Sequence, residues 1–279
     1  MRDFRSALSL LLPQHVFSTP DIEARCRTAP QLFLALDYDG TLVPIAPRPE
    51  EARPTPALLV LLSQLAQTPR VKVAVVSGRL LAELCALLPV QGISHVGTHG
   101  LEMRTATGAT RRPIPAGAST TVMARLRRDV ESIVTGHPGV LLEDKQLTLA
   151  LHYRLAQPEG EEQVVAQFLS VVQKYQRKGV ALEVIHGKKV VEVRPVGANK
   201  GKAVRFLLAQ ENTATLPLYL GDDTTDEDAF QALKGLGLTI LVADPPRRTA
   251  ARYYLKNPEE VFCFLACVLN LRQAAEQVG

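Results

Sequence analysis

Leu32-Phe33-Leu34-Ala35-Leu36 runs directly into Asp37-Tyr38-Asp39-Gly40-Thr41. Five consecutive apolar residues closed by a turn signal at Gly40 read as a buried strand of a parallel sheet. Residues two apart on a strand point the same way, so Asp37 and Asp39 share a site while Tyr38 turns away. Two carboxylates that close repel each other, and a bound cation resolves the repulsion. One can then act as nucleophile while the other handles protons, a division suited to phosphoryl transfer. Taken alone, the same residues also describe a strand end with an Asp-rich turn. Three further segments decide between the two.

Outward from this strand, residues 32–103 alternate strand and helix: strand 32–37, helix 57–67, strand 71–76, helix 79–88, strand 93–97. The same grammar returns after residue 199, with helix 200–209, strand 216–220, helix 226–233, strand 238–242 and a last helix from 258. Such alternation predicts an α/β fold, a Rossmann-like parallel sheet with helices on both faces. Between the halves the order changes to helix 118–135, strands 140–144 and 147–153, helix 160–177, strands 180–185 and 189–194. An αββαββ order predicts an inserted α+β cap, a small open sheet with two helices on one face. Arg111-Arg112-Pro113-Ile114-Pro115 and Arg194-Pro195-Val196-Gly197 punctuate its ends, as linkers do. The expected division is a core of residues 1–111 and 196–279 and a cap of residues 112–195.

The second segment is Val75-Val76-Ser77-Gly78-Arg79, at the end of the next core strand. A Ser hydroxyl there donates to a phosphate oxygen, and Gly78 lets backbone amides approach at a helix start. The third is Gly197-Ala198-Asn199-Lys200-Gly201, whose lysine can neutralise a phosphoryl group and a neighbouring carboxylate. The fourth is Leu220-Gly221-Asp222-Asp223-Thr224-Thr225-Asp226-Glu227. Its acids serve as helix caps, or, facing Asp37, they need a counter-charge such as Mg²⁺. All four segments fall at strand C-termini or adjoining helix starts, where open α/β sheets bind ligands.

In this order, D-Y-D-G-T, a strand-end Ser, a helix-start Lys and G-D-D-x-x-D-E resemble the haloacid dehalogenase-like phosphohydrolase superfamily across the whole core. The resemblance implies that Asp37 attacks phosphorus and that Asp39 protonates the leaving oxygen and then activates water. It implies Mg²⁺ held by Asp37, the Asp39 carbonyl and Asp222, with Ser77 and Lys200 stabilising the phosphoryl oxygens. Asp223 and Asp226 would orient Lys200 and the metal's waters from behind.

The cap falls between Ser77 and Lys200, which within this superfamily implies a sugar-phosphate phosphatase. Three cap strings are similar to trehalose-6-phosphate phosphatases: Glu143-Asp144-Lys145, Leu149-Ala150-Leu151-His152-Tyr153-Arg154, and Gly187-Lys188-Lys189-Val190-Val191-Glu192-Val193-Arg194-Pro195. The core string Gly97-Thr98-His99-Gly100-Leu101-Glu102 resembles that family too. Substrate contacts are expected from Gly78, Arg79, His99, Glu143, Lys145 and Glu192. Strand parity agrees: Val191 and Val193 share one face, Glu192 and Arg194 the other. Such a polar face is the ordinary outside of a sheet, or it binds a sugar through charged groups that accept and donate to several hydroxyls.

Composition narrows the rest. The 46% hydrophobic and 22% charged residues are ordinary for a globular protein, and the net charge of +4 is modest. With no Trp and 5% aromatics, nucleic acid has little support as a partner, and no apolar run reaches membrane-span length. Residues 3–12 read as a short amphipathic helix rather than a signal peptide, because Pro13 ends the apolar stretch. The four cysteines lack metal-ligand spacing, Cys263 and Cys267 are expected in the core, and a cytoplasmic location follows. Two other readings stay open: a phosphatase for a sucrose or glucosylglycerate ester, and a silent sugar-phosphate sensor or partner of a trehalose-phosphate synthase.

Overall fold

The computed structural model describes residues 12–112, 117–197 and 199–277. Residues 1–11, and with them most of the helix expected over 3–12, lie outside the described residues. The chain opens with β1 (Gln14–His15), α1 (Asp21–Thr28) and β2 (Gln31–Leu36), then α2 (Pro56–Gln67), β3 (Val71–Val76), α3 (Leu81–Leu87) and β4 (Ile93–Gly97). An antiparallel pair follows, β5 (Glu102–Arg104) and β6 (Thr110–Arg111). The inserted segment is α4 (Gly117–Thr135), β7 (Leu141–Asp144), β8 (Leu149–His152), α5 (Pro158–Arg177), β9 (Leu182–Gly187) and β10 (Val190–Pro195). The return half is α6 (Lys200–Leu208), β11 (Thr215–Gly221), α7 (Glu227–Ala232), β12 (Leu238–Val242), β13 (Tyr253–Leu255) and α8 (Pro258–Gln277).

Nine strands form one sheet in the order β1-β13-β12-β11-β2-β3-β4-β5-β6. From β1 to β4 the pairing is parallel, and β5 and β6 add an antiparallel edge. β2 sits between β3, which follows it in sequence, and β11, which arrives after the insert. The chain order reverses there, and the crevice this creates lies at the strands' carboxyl ends. Both faces of β2 are apolar because both are covered. Leu32, Leu34 and Leu36 pack with residues of α1, α2 and α8, while Phe33 and Ala35 pack with residues of α6 and α7. Helix α2 shows how locally this is encoded. Thr55 accepts from Leu58 N at 3.2 Å, Pro56 opens the helix, and Leu58, Leu61, Leu62 and Leu65 recur at helical spacing on the buried side.

The insert has its own antiparallel sheet, β7-β8-β10-β9. Leu149, Leu151, Val191 and Val193 bury one face against Met123 and Leu126 of α4 and Phe168 of α5. Register then sets the other face. Ala150 lies opposite both Glu143 and Glu192, so the two acids flank a methyl group in one row across the sheet. The cysteine expectation fails for α8: Cys263 is exposed and Cys267 half-buried, because Val261, Phe264, Leu265 and Val268 take the inward stripe. All four thiols are free. Among the described residues no helix is long and apolar enough to cross a membrane.

Candidate active site

Asp37 follows β2 immediately, and its N–H donates to Leu220 O of β11 at 2.9 Å. That last rung sets Asp37 beside Asp222, which follows β11. Asp226 joins them, and carboxylate oxygens of Asp37, Asp222 and Asp226 all lie within 4.8 Å of one another, every one buried. Burial and the neighbouring Asp226 push the Asp37 carboxyl well above its ordinary range, against the pull of Lys200. The same two causes raise Asp222 to about 6, opposed by Lys188. Gly40, at φ +81°, is required here, since a Cβ would come within 2.3 Å of Asp222 Oδ2.

Lys200 is buried at the start of α6, whose N-cap Asn199 accepts from Lys202 N at 2.6 Å. Its Nζ donates to Asp37 Oδ1 at 2.7 Å and Asp226 Oδ1 at 2.8 Å. Burial opposes the charge, but Asp226 and Asp37 outweigh it and hold the ammonium protonated. Asp226 is fully committed: Tyr219 OH donates to Oδ1 at 2.6 Å and Asp223 N to Oδ2 at 2.9 Å. Asp37 Oδ2 accepts no hydrogen bond among the described residues. Ser77 is buried, and its Oγ accepts from Arg79 N at 3.1 Å, leaving its proton to donate elsewhere.

Arg79 is expected at the substrate, and its guanidinium has other partners. Nε and Nη2 donate to the two Asp39 oxygens at 2.8 Å each, Nη2 also to Pro49 O at 2.7 Å, and Nη1 to Glu83. A planar fork matched to one carboxylate orients Asp39.

The cap contributes a second cluster. Lys145 Nζ lies 3.2 Å from Glu192 Oε2 and 3.7 Å from Glu143 Oε2, above the gap that Ala150 leaves. Thr148 Oγ1 donates to Glu192 Oε1 at 2.5 Å, and His152 Nε2 lies 2.7 Å from Glu143 Oε2. Burial alone would raise Glu192, yet Lys145 and His99 hold it well below the carboxylate range. Lys145 is pushed up by Glu192 and Glu143 despite burial. Thus a buried ammonium and two carboxylates are all charged, a set able to donate to and accept from several hydroxyls.

Both clusters line one cavity of about 520 Å³, within the usual range of small-molecule sites. Every expected site residue lines it except Asp226, which stands behind Lys200. Sequence reading missed the walls. The Pro-rich loop lends Ile45, Pro47 and Pro49, the cap lends Val140, Leu141 and Leu155, and Lys188 sets its Nζ 2.6 Å from Asp222 Oδ2. His152 and Arg154 also line it, on the polar side that parity assigns them. The signal for Lys188 was the tight turn between β9 and β10, which carries it toward the core.

The family model described as trehalose-phosphatase matches residues 35–259. A trehalose-phosphate phosphatase of Mycobacterium marinum is 35% identical over 262 residues, covering 89% of this chain and 65% of its own length. A probable trehalose-phosphate phosphatase J of Arabidopsis thaliana is 32% identical over 259 residues, 87% of this chain and 68% of that one. The chain thus spans less than two thirds of the length of the first of these relatives. The C-terminal domain of a C. albicans trehalose-6-phosphate phosphatase superposes with a TM-score of 0.83 at 24% identity, covering 94% of this chain and 99% of that one, a likeness of fold.

Proposed function

The chain belongs to the trehalose-phosphatase family, and we propose that it hydrolyses trehalose 6-phosphate to trehalose and phosphate. The observation that carries this reading is one cavity with Asp37, Lys200 and Asp222 on its core side and Glu143, Lys145 and Glu192 on its cap side. We take residues 112–195 as the cap and the remainder as the core.

Asp37 attacks phosphorus, the ester bond to the sugar oxygen breaks, and an aspartyl-phosphate forms. Asp39 gives the departing oxygen its proton. It then takes a proton from the water that splits the acyl phosphate, which returns Asp37. Arg79 donates to both Asp39 oxygens and so holds that carboxyl group in one orientation. Lys200 and Ser77 stabilise charge on the transferring oxygens.

The acid cluster fits a divalent cation. Asp37 keeps one oxygen free, Asp226 is occupied by Lys200, Tyr219 and the Asp223 amide, and a cap ammonium already sits on Asp222. Asp37, the Asp39 carbonyl and Asp222 would hold Mg²⁺, which when bound offsets the charge of phosphate against carboxylate. The four free thiols suit a cytoplasmic setting. The test is phosphate release across a panel of sugar phosphates with and without Mg²⁺. Preference for trehalose 6-phosphate, lost on chelation, is expected; equal rates on unrelated sugar phosphates would overturn the assignment.

A further inference from the structure

His99 is expected to touch substrate, yet both its ring nitrogens are closed to one. Nε2 lies 3.2 Å from Glu192 Oε2, and Nδ1 is buried with no partner among the described residues. Burial pushes the imidazole below its ordinary pKa, so the ring is neutral and carries one proton. A carboxylate oxygen faces Nε2 and no hydrogen-bond partner among the described residues meets Nδ1, which puts that proton on Nε2. His99 therefore donates to Glu192 and has no hydrogen bond to give a sugar.

The backbone that presents this ring is held unusually firmly. Thr98, His99 and Gly100 stand in succession at φ +48°, +54° and +99°. Left-handed geometry is a genuine outlier for a β-branched residue such as Thr98, and it persists only where its surroundings impose it. They do. Thr98 N donates to Arg79 O at 2.7 Å and His99 N to Ser77 O at 3.0 Å, fastening the loop to the phosphate-side segment 77–79. A Cβ on Gly78 would come within 2.7 Å of the imidazole, and one on Gly100 within 3.0 Å of Asn199 O, beside Lys200. The ring is thus wedged against Gly78 of the segment that carries Ser77, the next loop residue, Gly100, abuts Asn199 beside Lys200, and the ring's one donor reaches across to the cap.

We propose that His99 is a positioning residue: through its bond to Glu192 it sets the cap's sugar-binding cluster in register over the core's phosphoryl site. This deepens the trehalose 6-phosphate reading and rests on it. Substrate with phosphate on Asp37 and sugar on Glu192 spans two domains, and His99 fixes the distance between them from the core side.

The experiment is a double-mutant cycle of His99→Leu and Glu192→Ala, read as kcat/KM on trehalose 6-phosphate and on an aryl phosphate. His99→Leu should cost about ten- to hundredfold on the sugar phosphate, and at least tenfold less on the aryl phosphate. In the Glu192→Ala background the same substitution should cost under about threefold, because its route of action is gone. His99→Gln, which carries an N–H donor, should recover part of the loss. Undiminished cost in that background, or equal losses on both substrates, overturns the proposal. Nitrogen NMR of the unmodified protein remains decisive even if His99→Leu fails to fold: protonated Nε2 supports the proposal, and protonated Nδ1 overturns it. If the unmodified protein ignores trehalose 6-phosphate, the functional reading falls by itself. The cycle is then read in urea unfolding, where absence of coupling between His99 and Glu192 overturns this inference separately.

Discussion

Residue by residue, the site is a problem of like charges, and Asp37 is its centre. Asn at that position keeps the shape and removes the nucleophile's charge. Asp37→Asn should therefore remain folded, relieved of repulsion from Asp222 and Asp226, while turnover falls on the order of 10⁴-fold or more. Near-normal turnover by a folded variant would contradict the covalent route. Asp37, Asp39, Ser77, Lys200 and Asp222 were legible because strand ends and helix starts are visible in the chain. The hydrogen-bond partners of Arg79 and His99 were not legible. A side chain's partner is chosen by the fold, and Asp39 and Glu192 lie 40 and 93 residues away from them. His95 offers a separate test away from the chemistry. Its Nε2 bonds Leu88 O at 2.9 Å, and burial lowers its pKa below 6.5. Below about pH 6.5 the unfolded ring binds a proton that the folded ring refuses, so stability falls with falling pH, by up to ~1.4 kcal/mol per pH unit. His95→Gln should remove that share of the slope, read as the difference in Tm between pH 7.5 and about pH 5.5. Identical slopes for both proteins would rule His95 out as its source.

Among elements, the long periodic ones were readable and the short ones were not. β2 and α2 carry their burial pattern in their own residues. β1 is two residues long and exists through its pairing with β13, Gln14 lying opposite Tyr253 from the far end of the chain, while β13, three residues long, is held by β12 as well. No local pattern announces a pairing of that kind. In the cap the row Glu143, Ala150, Glu192 follows from register, and that register is set by Leu149, Leu151, Val191 and Val193 seeking the helices. The row is polar by placement and separate from Asp37. Replacing Glu143, Lys145 or Glu192 by Ala should cost about 1.5–3 kcal/mol of transition-state binding, ten- to hundredfold in kcat/KM on trehalose 6-phosphate. An aryl phosphate makes no sugar contacts, so its hydrolysis should change far less. Equal losses on both substrates would move these residues from specificity to folding.

At the scale of the molecule, two hydrophobic clusters belong to the nine-stranded sheet and the third lies wholly within residues 123–193. The core and cap therefore meet through polar contacts. Lys188 Nζ reaches Asp222 at 2.6 Å, Arg194 Nη2 reaches Asp228 at 3.5 Å, Thr224 Oγ1 donates to His186 O at 3.1 Å, and His99 meets Glu192. An apolar interface would hold the two together at any ionic strength, whereas the Lys188, Arg194 and Thr224 contacts each have an exposed partner and are weakened by salt, the buried His99–Glu192 bond less so. The arrangement suits a cap that closes for phosphoryl transfer and opens to release sugar. Raising salt from about 0.05 to 0.5 M should thus enlarge the radius of gyration seen by scattering, without loss of helix signal. Lys188→Ala should produce much of that expansion at low salt, since it deletes a 2.6 Å charged bridge from the cap to a buried core carboxylate. Mg²⁺ with a phosphate analogue and trehalose should reverse the expansion by giving both sides a common ligand. Dimensions that ignore salt, Lys188 and ligand alike would mean that the cap is fixed, and that substrate reaches Asp37 by another route.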